Sequence, residues 1–149
     1  MIELAKVETQ INAPVNVVYS YMTNMENYGN WFPGVVDIKS VDKQDHLAIG
    51  KRYQEALIIA GQNVALNIEV VEAERNKAFI TQGDLAGLLP QMTMTFEQNN
   101  TNCTVRLQYH SRNLDFAAND DLSHIQADLT SRATTAMENL NHIFTTDVD

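Results

Sequence analysis

The sequence predicts an α+β domain: a curved antiparallel β-sheet of about six or seven strands wraps around one long C-terminal helix, and two short helices follow the first strand. Three observations predict it. From Val35 to Ser111 the apolar pattern alternates almost throughout with the period of strands. After Asn119 the apolar residues switch to a spacing of three or four, the period of a helix. Near the start, Pro14 and Asn24 mark the beginnings of two short helical stretches. The 149 residues contain no proline-rich linker, low-complexity tract or internal repeat, so residues 1–149 read as one domain. A chain of this length buries roughly two thirds of its unfolded surface.

The elements follow in order. Lys6 to Ile11 alternates Val7, Thr9 and Ile11 against Glu8 and Gln10 and reads as a strand. Pro14 suits a first helical turn, and Val15, Val18, Tyr19 and Met22 then form an amphipathic face. Asn24 caps a second short helix through Tyr28, which Gly29 is placed to end, before Trp31-Phe32-Pro33-Gly34 breaks the pattern.

Two hairpins can be registered. With Gly61-Gln62 as a two-residue turn, partners sum to 123, so Leu57 faces Leu66, Glu55 faces Ile68 and Tyr53 faces Val70. With Asn100-Thr101 as the next turn, partners sum to 201, so Phe96 faces Val105, Met94 faces Leu107 and Met92 faces Tyr109. A one-residue slip would scatter the apolar residues over both faces. Lys77 to Gln82, centred on Phe79 and Thr81, supplies a strand between the hairpins, and the sheet has one wet and one dry face. Asn119 offers a cap, with Asp120 and Asp121 favourable at a helix N-terminus. Leu122, Ile125, Leu129, Ala133, Ala136, Leu140 and Ile143 then form a stripe facing the dry side of the sheet.

The charge of −9 argues against nucleic acid and against anionic membrane surfaces, and Lys51-Arg52 is too little for a phosphate track. A single cysteine, Cys103, excludes an intramolecular disulfide and a Cys-rich zinc site. The N-terminus does not read as a signal peptide, and no apolar run is long enough to span a bilayer. A cytoplasmic protein without stable membrane insertion is the expectation.

Ile11-Asn12-Ala13-Pro14, Val17-Val18-Tyr19, Asn24 to Tyr28 and Trp31-Phe32-Pro33-Gly34, in this order of elements, resemble the N-terminal signature of the START-like (SRPBCC) superfamily. Its members include polyketide cyclase/dehydrase-like, pollen-allergen-like and coenzyme Q-binding proteins. The resemblance runs from about Leu4 to about Phe144. It implies the helix-grip fold and an apolar cavity between sheet and long helix; fold alone assigns no chemistry.

Glu55 is the most informative single residue. On the dry face a carboxylate must be paired, hydrogen-bonded or protonated. It either orients a polar ligand group or acts as an acid or base, or else it reaches water at the sheet edge or pairs with a helix side chain such as Arg132. Tyr53, Leu57, Leu66, Phe79, Thr81, Met92, Met94, Tyr109 and Leu129 join it as ligand wall or as core, the methionines suiting either role. Trp31 and Phe32 are a cavity mouth or a hydrophobic plug. Leu85, Leu88 and Leu89, in a glycine-hinged loop, are a lid, a docking surface or ordinary core.

The histidines make no metal motif: His124 and His142 share a helix face about 27 Å apart, His110 falls on a wet face and His46 in a loop. Cys103 has no histidine near it in sequence and reads as a small buried residue, while Asp128 and Glu138 read as solvated helix face. No GxSxG, GxGxxG or Walker sequence occurs, and no cofactor is implied. The function expected is binding or carriage of a small-to-medium hydrophobic ligand, such as a lipid, quinone or polyketide-like molecule. The alternatives are a polyketide cyclase/dehydratase-like enzyme, for which Glu55 and the hydroxyls of Tyr53, Thr81 and Tyr109 are the polar inventory, and a protein-interaction or quinone-chaperone module acting through the apolar loop.

Overall fold

The computed structural model describes residues 1–59 and 61–145. β1 (Ile2–Ile11) leads into α1 (Val15–Thr23), a 3₁₀ turn (Met25–Asn27) and α2 (Tyr28–Trp31). Then follow β2 (Val35–Ser40), β3 (Arg52–Ile59), β4 (Gln62–Glu74), β5 (Ala78–Gly83), β6 (Pro90–Asn99) and β7 (Asn102–Ser111). A second 3₁₀ segment (Leu114–Ala118) precedes α3 (Leu122–Ile143). The seven strands form one antiparallel sheet in the order β1-β7-β6-β5-β4-β3-β2. β1 and β2, consecutive in sequence, form the two edges of this sheet, and α1 and α2 lie in the connection that joins them.

The predicted architecture is observed, and several local details differ. The first hairpin pairs Leu57 with Val64, Glu55 with Leu66 and Tyr53 with Ile68, two residues away from the predicted register. Ile59 pairs with Gln62, so Gln62 lies in the strand rather than in the turn, and Gly61 has φ +77°. Because the shift is even, every side chain keeps its predicted face. The second hairpin has the predicted register, Met92 opposite Tyr109 and Met94 opposite Leu107, with Asn100 taking the left-handed conformation at φ +53°.

Gly29 does not end the second helix, which runs on to Trp31. The C-cap is Phe32, in extended conformation, and Gly34 then turns the chain into β2, where φ of +92° suits glycine and a Cβ would lie 2.0 Å from an Arg132 guanidinium nitrogen. Pro14 is the N-cap of α1 rather than its first turn. Asn24 caps as expected, its side chain accepting from the Glu26 N–H at 3.1 Å. α3 begins later than the Asn119 signal suggests. Asn119 accepts from the Asp121 N–H at 2.8 Å in a turn ahead of the helix, and Asp121 occupies the N-cap without a side-chain bond.

α3 lies along β1, running in the same direction: Gln126 donates to the Glu3 carbonyl at 3.0 Å and Asn141 to the Thr9 hydroxyl at 2.9 Å. Its covered stripe is uneven. Ala133, Ala136, Met137 and Leu140 are buried, whereas Leu122, Ile125, Leu129 and Ile143 are half-buried. Small alanines let the helix approach the sheet closely, so its C-terminal half is the tightly held part. Near the other sheet edge, the Lys51 ammonium is 1% exposed and donates to the Asp42 carboxylate at 2.9 Å and carbonyl at 3.0 Å. It also sits 5.2 Å from the Tyr53 ring centre. This pairing and two backbone N–H bonds hold the Asp42 carboxyl down at about 2. No helix among the described residues is long and apolar enough to cross a membrane.

Candidate functional site

The concave face of the sheet is built by alternation. Tyr53 and Glu55 on β3, Leu66 and Ile68 on β4, Phe79 and Thr81 on β5, and Met92 and Met94 on β6 all point inward. Pairing aligns Thr81, Met92 and Tyr109 into one row across β5, β6 and β7, while Glu55 stands opposite Leu66. Over this patch sit Met25 of the 3₁₀ turn and Tyr28 of α2, and between them lies a small cavity of about 50 Å³. Gly83 and Pro90, the two ends of the β5–β6 loop, close its border.

Of the residues singled out from sequence, Glu55, Leu66, Thr81, Met92 and Tyr109 meet around this cavity. Phe79 and Met94 are fully buried core that does not line it. Tyr53 is buried beside it, its hydroxyl hydrogen-bonded to His46 Nδ1 and its ring stacked on the imidazole. Leu57 is half-buried on β3, and Leu129 is half-buried on α3, which contributes no lining residue. This cavity therefore lies between the sheet and the Met25–Tyr28 segment rather than beneath α3. Trp31 and Phe32 are buried and form an aromatic cluster with Tyr28 at centroid distances of 5.0 and 5.1 Å, the packing of a plug.

Tyr28, Met25, Ile68, Gly83 and Pro90 were not among the expected wall residues. Tyr28 had a signal, since it closes the Asn24–Tyr28 motif, but nothing in a helix pattern says which strand its hydroxyl will reach. That partner is Tyr109: the two phenols hydrogen-bond to each other, and Tyr109 also donates to the Met92 sulfur at 3.4 Å. Burial raises Tyr28 well above the usual phenol range and raises Tyr109 as well, so both stay protonated through neutral pH.

Glu55 is 5% exposed. Neither a hydrogen bond nor an ion pair engages its carboxyl among the described residues. The predicted alternative partner is elsewhere: Arg132 Nε binds Asp128 at 3.0 Å, and its guanidinium covers Gly34. Loss of water around the carboxyl pushes it up to about 7. A buried acid that changes charge near neutrality, facing a cavity, has the chemistry of a ligand-orienting or proton-transferring group.

The loop 84–89 is tethered at several points. The Asp84 carboxylate accepts from the Asn67 N–H at 2.7 Å and amide at 3.0 Å. Ser111 donates to the Leu88 carbonyl at 2.6 Å, and Asn113 to the Gly87 carbonyl at 2.7 Å. Leu85 and Leu88 pack half-buried against the core, while Leu89 takes φ of +47°, a strained value for a side chain of that size. Larger depressions of about 520 and 620 Å³ lie on the outside of the molecule. Their walls carry charged side chains: Arg52 pairs with Glu69 at 3.4 Å, Arg106 pairs with Glu8 at 3.2 Å, and Arg112 donates to the Gly83 carbonyl while its Nε is buried without a partner among the described residues.

Elsewhere, His124 and His142 are exposed on α3. His110 pairs across the sheet with Glu3 and Gln91, and Cys103 is buried. Among the described residues no group of three or more His, Cys, Asp or Glu side chains could hold a metal ion.

A family model described as polyketide cyclase / dehydrase and lipid transport matches residues 4–142. No curated protein matches the chain. Among solved structures, the di-domain ARO/CYC BexL from the BE-7585A biosynthetic pathway superposes with a TM-score of 0.74 at 17% identity over 95% of this chain. The present chain spans 46% of that protein, about half its length. Protein MLL2253 from Mesorhizobium loti gives 0.72 at 19% identity, covering 97% of this chain and 98% of its own. A protein from Thermus thermophilus, TTHA0849, gives 0.70 at 15% identity, covering 93% and 94%. At these identities the likeness is one of fold.

Proposed function

The chain belongs to the polyketide cyclase/dehydrase and lipid transport family, and on that premise we propose that it binds a small or medium hydrophobic molecule, lipid, quinone or polyketide-like, in the cavity beneath Met25 and Tyr28. The observation that carries this reading is a small, mostly apolar cavity whose wall holds one unpartnered carboxyl, Glu55. A bare core would not tolerate that group without cost, whereas a ligand would give it a partner. At about 50 Å³ the space holds one or two waters, so a ligand enters by displacing side chains. Met25 and Met92 are the adaptable ones, and the loop 84–89 is the segment to be lifted. A cytoplasmic location is part of the proposal and rests on the single free cysteine.

Native mass spectrometry with solvent extraction, on protein purified from its own host, tests the reading. Recovery of a bound apolar compound supports it and names the class, and a consistently empty protein counts against it. A second reading, a cyclase- or dehydratase-like enzyme, draws support from the same carboxyl poised near neutrality beside two phenols. There Glu55→Gln would leave binding intact and abolish turnover of a polyketide-like ketone. A protein-docking or quinone-chaperone module receives less support, since Leu85 and Leu88 pack inward.

A further inference from the structure

The polar groups around the cavity have a definite sense of hydrogen bonding. Each phenol owns one O–H. Tyr109 uses its own on the Met92 sulfur, so the hydrogen shared between the two phenols comes from Tyr28. Both donors are thus engaged within the wall. What faces the cavity is the Glu55 carboxylate, which only accepts when ionised, together with the remaining phenol lone pairs and the weakly accepting sulfurs of Met25 and Met92. Thr81 is the single hydroxyl left free to donate, and it accepts equally well. The lining includes no lysine, arginine, histidine or side-chain amide. The wall is an acceptor surface.

We propose that this cavity selects ligands whose buried end is a hydrogen-bond donor, an amine ahead of a hydroxyl, and rejects ligands with an anionic end such as a fatty-acid carboxylate; this rests on the binding role proposed above. An ammonium or hydroxyl would meet Glu55 in a charge-assisted bond and would satisfy the phenol lone pairs. A carboxylate would meet the like charge of Glu55 and phenol lone pairs, with the Thr81 hydroxyl as the one donor and no cation among the lining residues; the Arg112 guanidinium at the border donates to the Gly83 carbonyl. The groups packed around Glu55 do not change this balance. Tyr28 from α2 and Tyr109 from β7 are neutral. Arg132 from α3 is engaged by Asp128, Lys51 at the start of β3 by Asp42, and Glu26 of the 3₁₀ turn accepts from the Ser40 hydroxyl at 2.9 Å. His46, from the β2–β3 connection, stacks on Tyr53 and does not line the cavity.

The test is calorimetric titration of the full chain, stripped of extractable ligand, with three probes of equal chain length: 1-octylamine, 1-octanol and octanoate. At pH 8 octylamine is expected to bind tightest, octanol next, and octanoate at least about tenfold weaker than octylamine. In the wild type at pH 5.5, with the carboxyl protonated, the disadvantage of octanoate should shrink. In Glu55→Gln, checked for native structure by circular dichroism, the discrimination should collapse at both pH values. Octanoate binding as tightly as octylamine at pH 8, or a gap that persists unchanged at pH 5.5 and in Glu55→Gln, overturns the inference while leaving the binding role standing. If none of the three binds, the binding role itself fails and this inference fails with it.

Discussion

Glu55→Gln should stabilise the ligand-free protein at alkaline pH and do little at acid pH. The carboxyl titrates at about 7 when folded against 4.5 when free, so the folded state holds its proton more tightly. Stability is therefore greatest below the unfolded value and falls as pH rises through the folded one. At one and a third kcal/mol per pH unit, the penalty on the wild type reaches about 3 kcal/mol at pH 8.5, and only about 1 kcal/mol has developed by pH 5. Because the side chain is 5% exposed, water screens little of this. Glutamine keeps the shape and carries no charge, so it escapes the penalty. Urea unfolding of both proteins at several pH values between 5 and 8.5 measures the difference directly, and comparable slopes are needed for the comparison to hold. A stability gap independent of pH, or a wild type that gains stability with rising pH over this window, would refute the reasoning. The protein must first be stripped of ligand, because a donor bound to the carboxylate would flatten the same slope.

Three further perturbations probe other parts of the structure. Tyr28→Phe removes the hydrogen between the two phenols and should cost about 1–2 kcal/mol in a denaturant melt, with no pH dependence between 5 and 8. Gly83→Ala places a methyl 2.7 Å from Leu66 Cδ1, the movable end of a side chain that lines the cavity, and 3.1 Å from the Pro90 ring. It should cost under about 1 kcal/mol in stability yet weaken uptake of a hydrophobic probe by calorimetry, because the space is filled rather than the fold strained. Asp42→Ala leaves the Lys51 ammonium buried and unpaired, so its melting temperature should fall further than that of Lys51→Met, which replaces the cation with a thioether of similar length. In the wild type the contribution of Asp42 should fade as pH drops from about 4 to about 2.

Which of these features sequence reveals depends on how local the cause is. Alternation of Tyr53, Glu55 and Leu57 is enough to place Glu55 on the inner face, and that survived a hairpin register two residues in error, since an even shift preserves sidedness. The second hairpin could be registered because the strands themselves flank Asn100. The misjudged ends have a different origin. Gly29 reads as a helix stop, but its backbone stays helical and the chain leaves the helix at Phe32 in extended conformation; the left-handed glycine is Gly34, in the following turn, where Arg132 from a distant part of the chain fills the space of a side chain. Arg132 itself was a plausible partner for Glu55 by helical angle; its i,i+4 neighbour Asp128 took it instead. Tyr28 and Met25 escaped as wall residues because a cavity is a meeting of segments distant in the chain, and no spacing rule encodes the contact between residues 28 and 109. For the same reason Leu129 lies on the expected helix face and yet outside the cavity lining.

The uneven seating of α3 sets how the domain breathes. Its last turns are locked onto β1 by buried Ala133, Ala136 and Leu140, while the stretch carrying Leu122, Ile125 and Leu129 is only partly covered. That looser stretch lies by Glu3, at the end of β1 where Ala5 pairs with Tyr109 of the cavity row. Amide exchange along this single helix should therefore be graded, fast near Ile125 and slow near Leu140. The helix can therefore fray at its Ile125 end while its Leu140 end and the core beneath it stay shut, a local opening that does not require the domain to unfold.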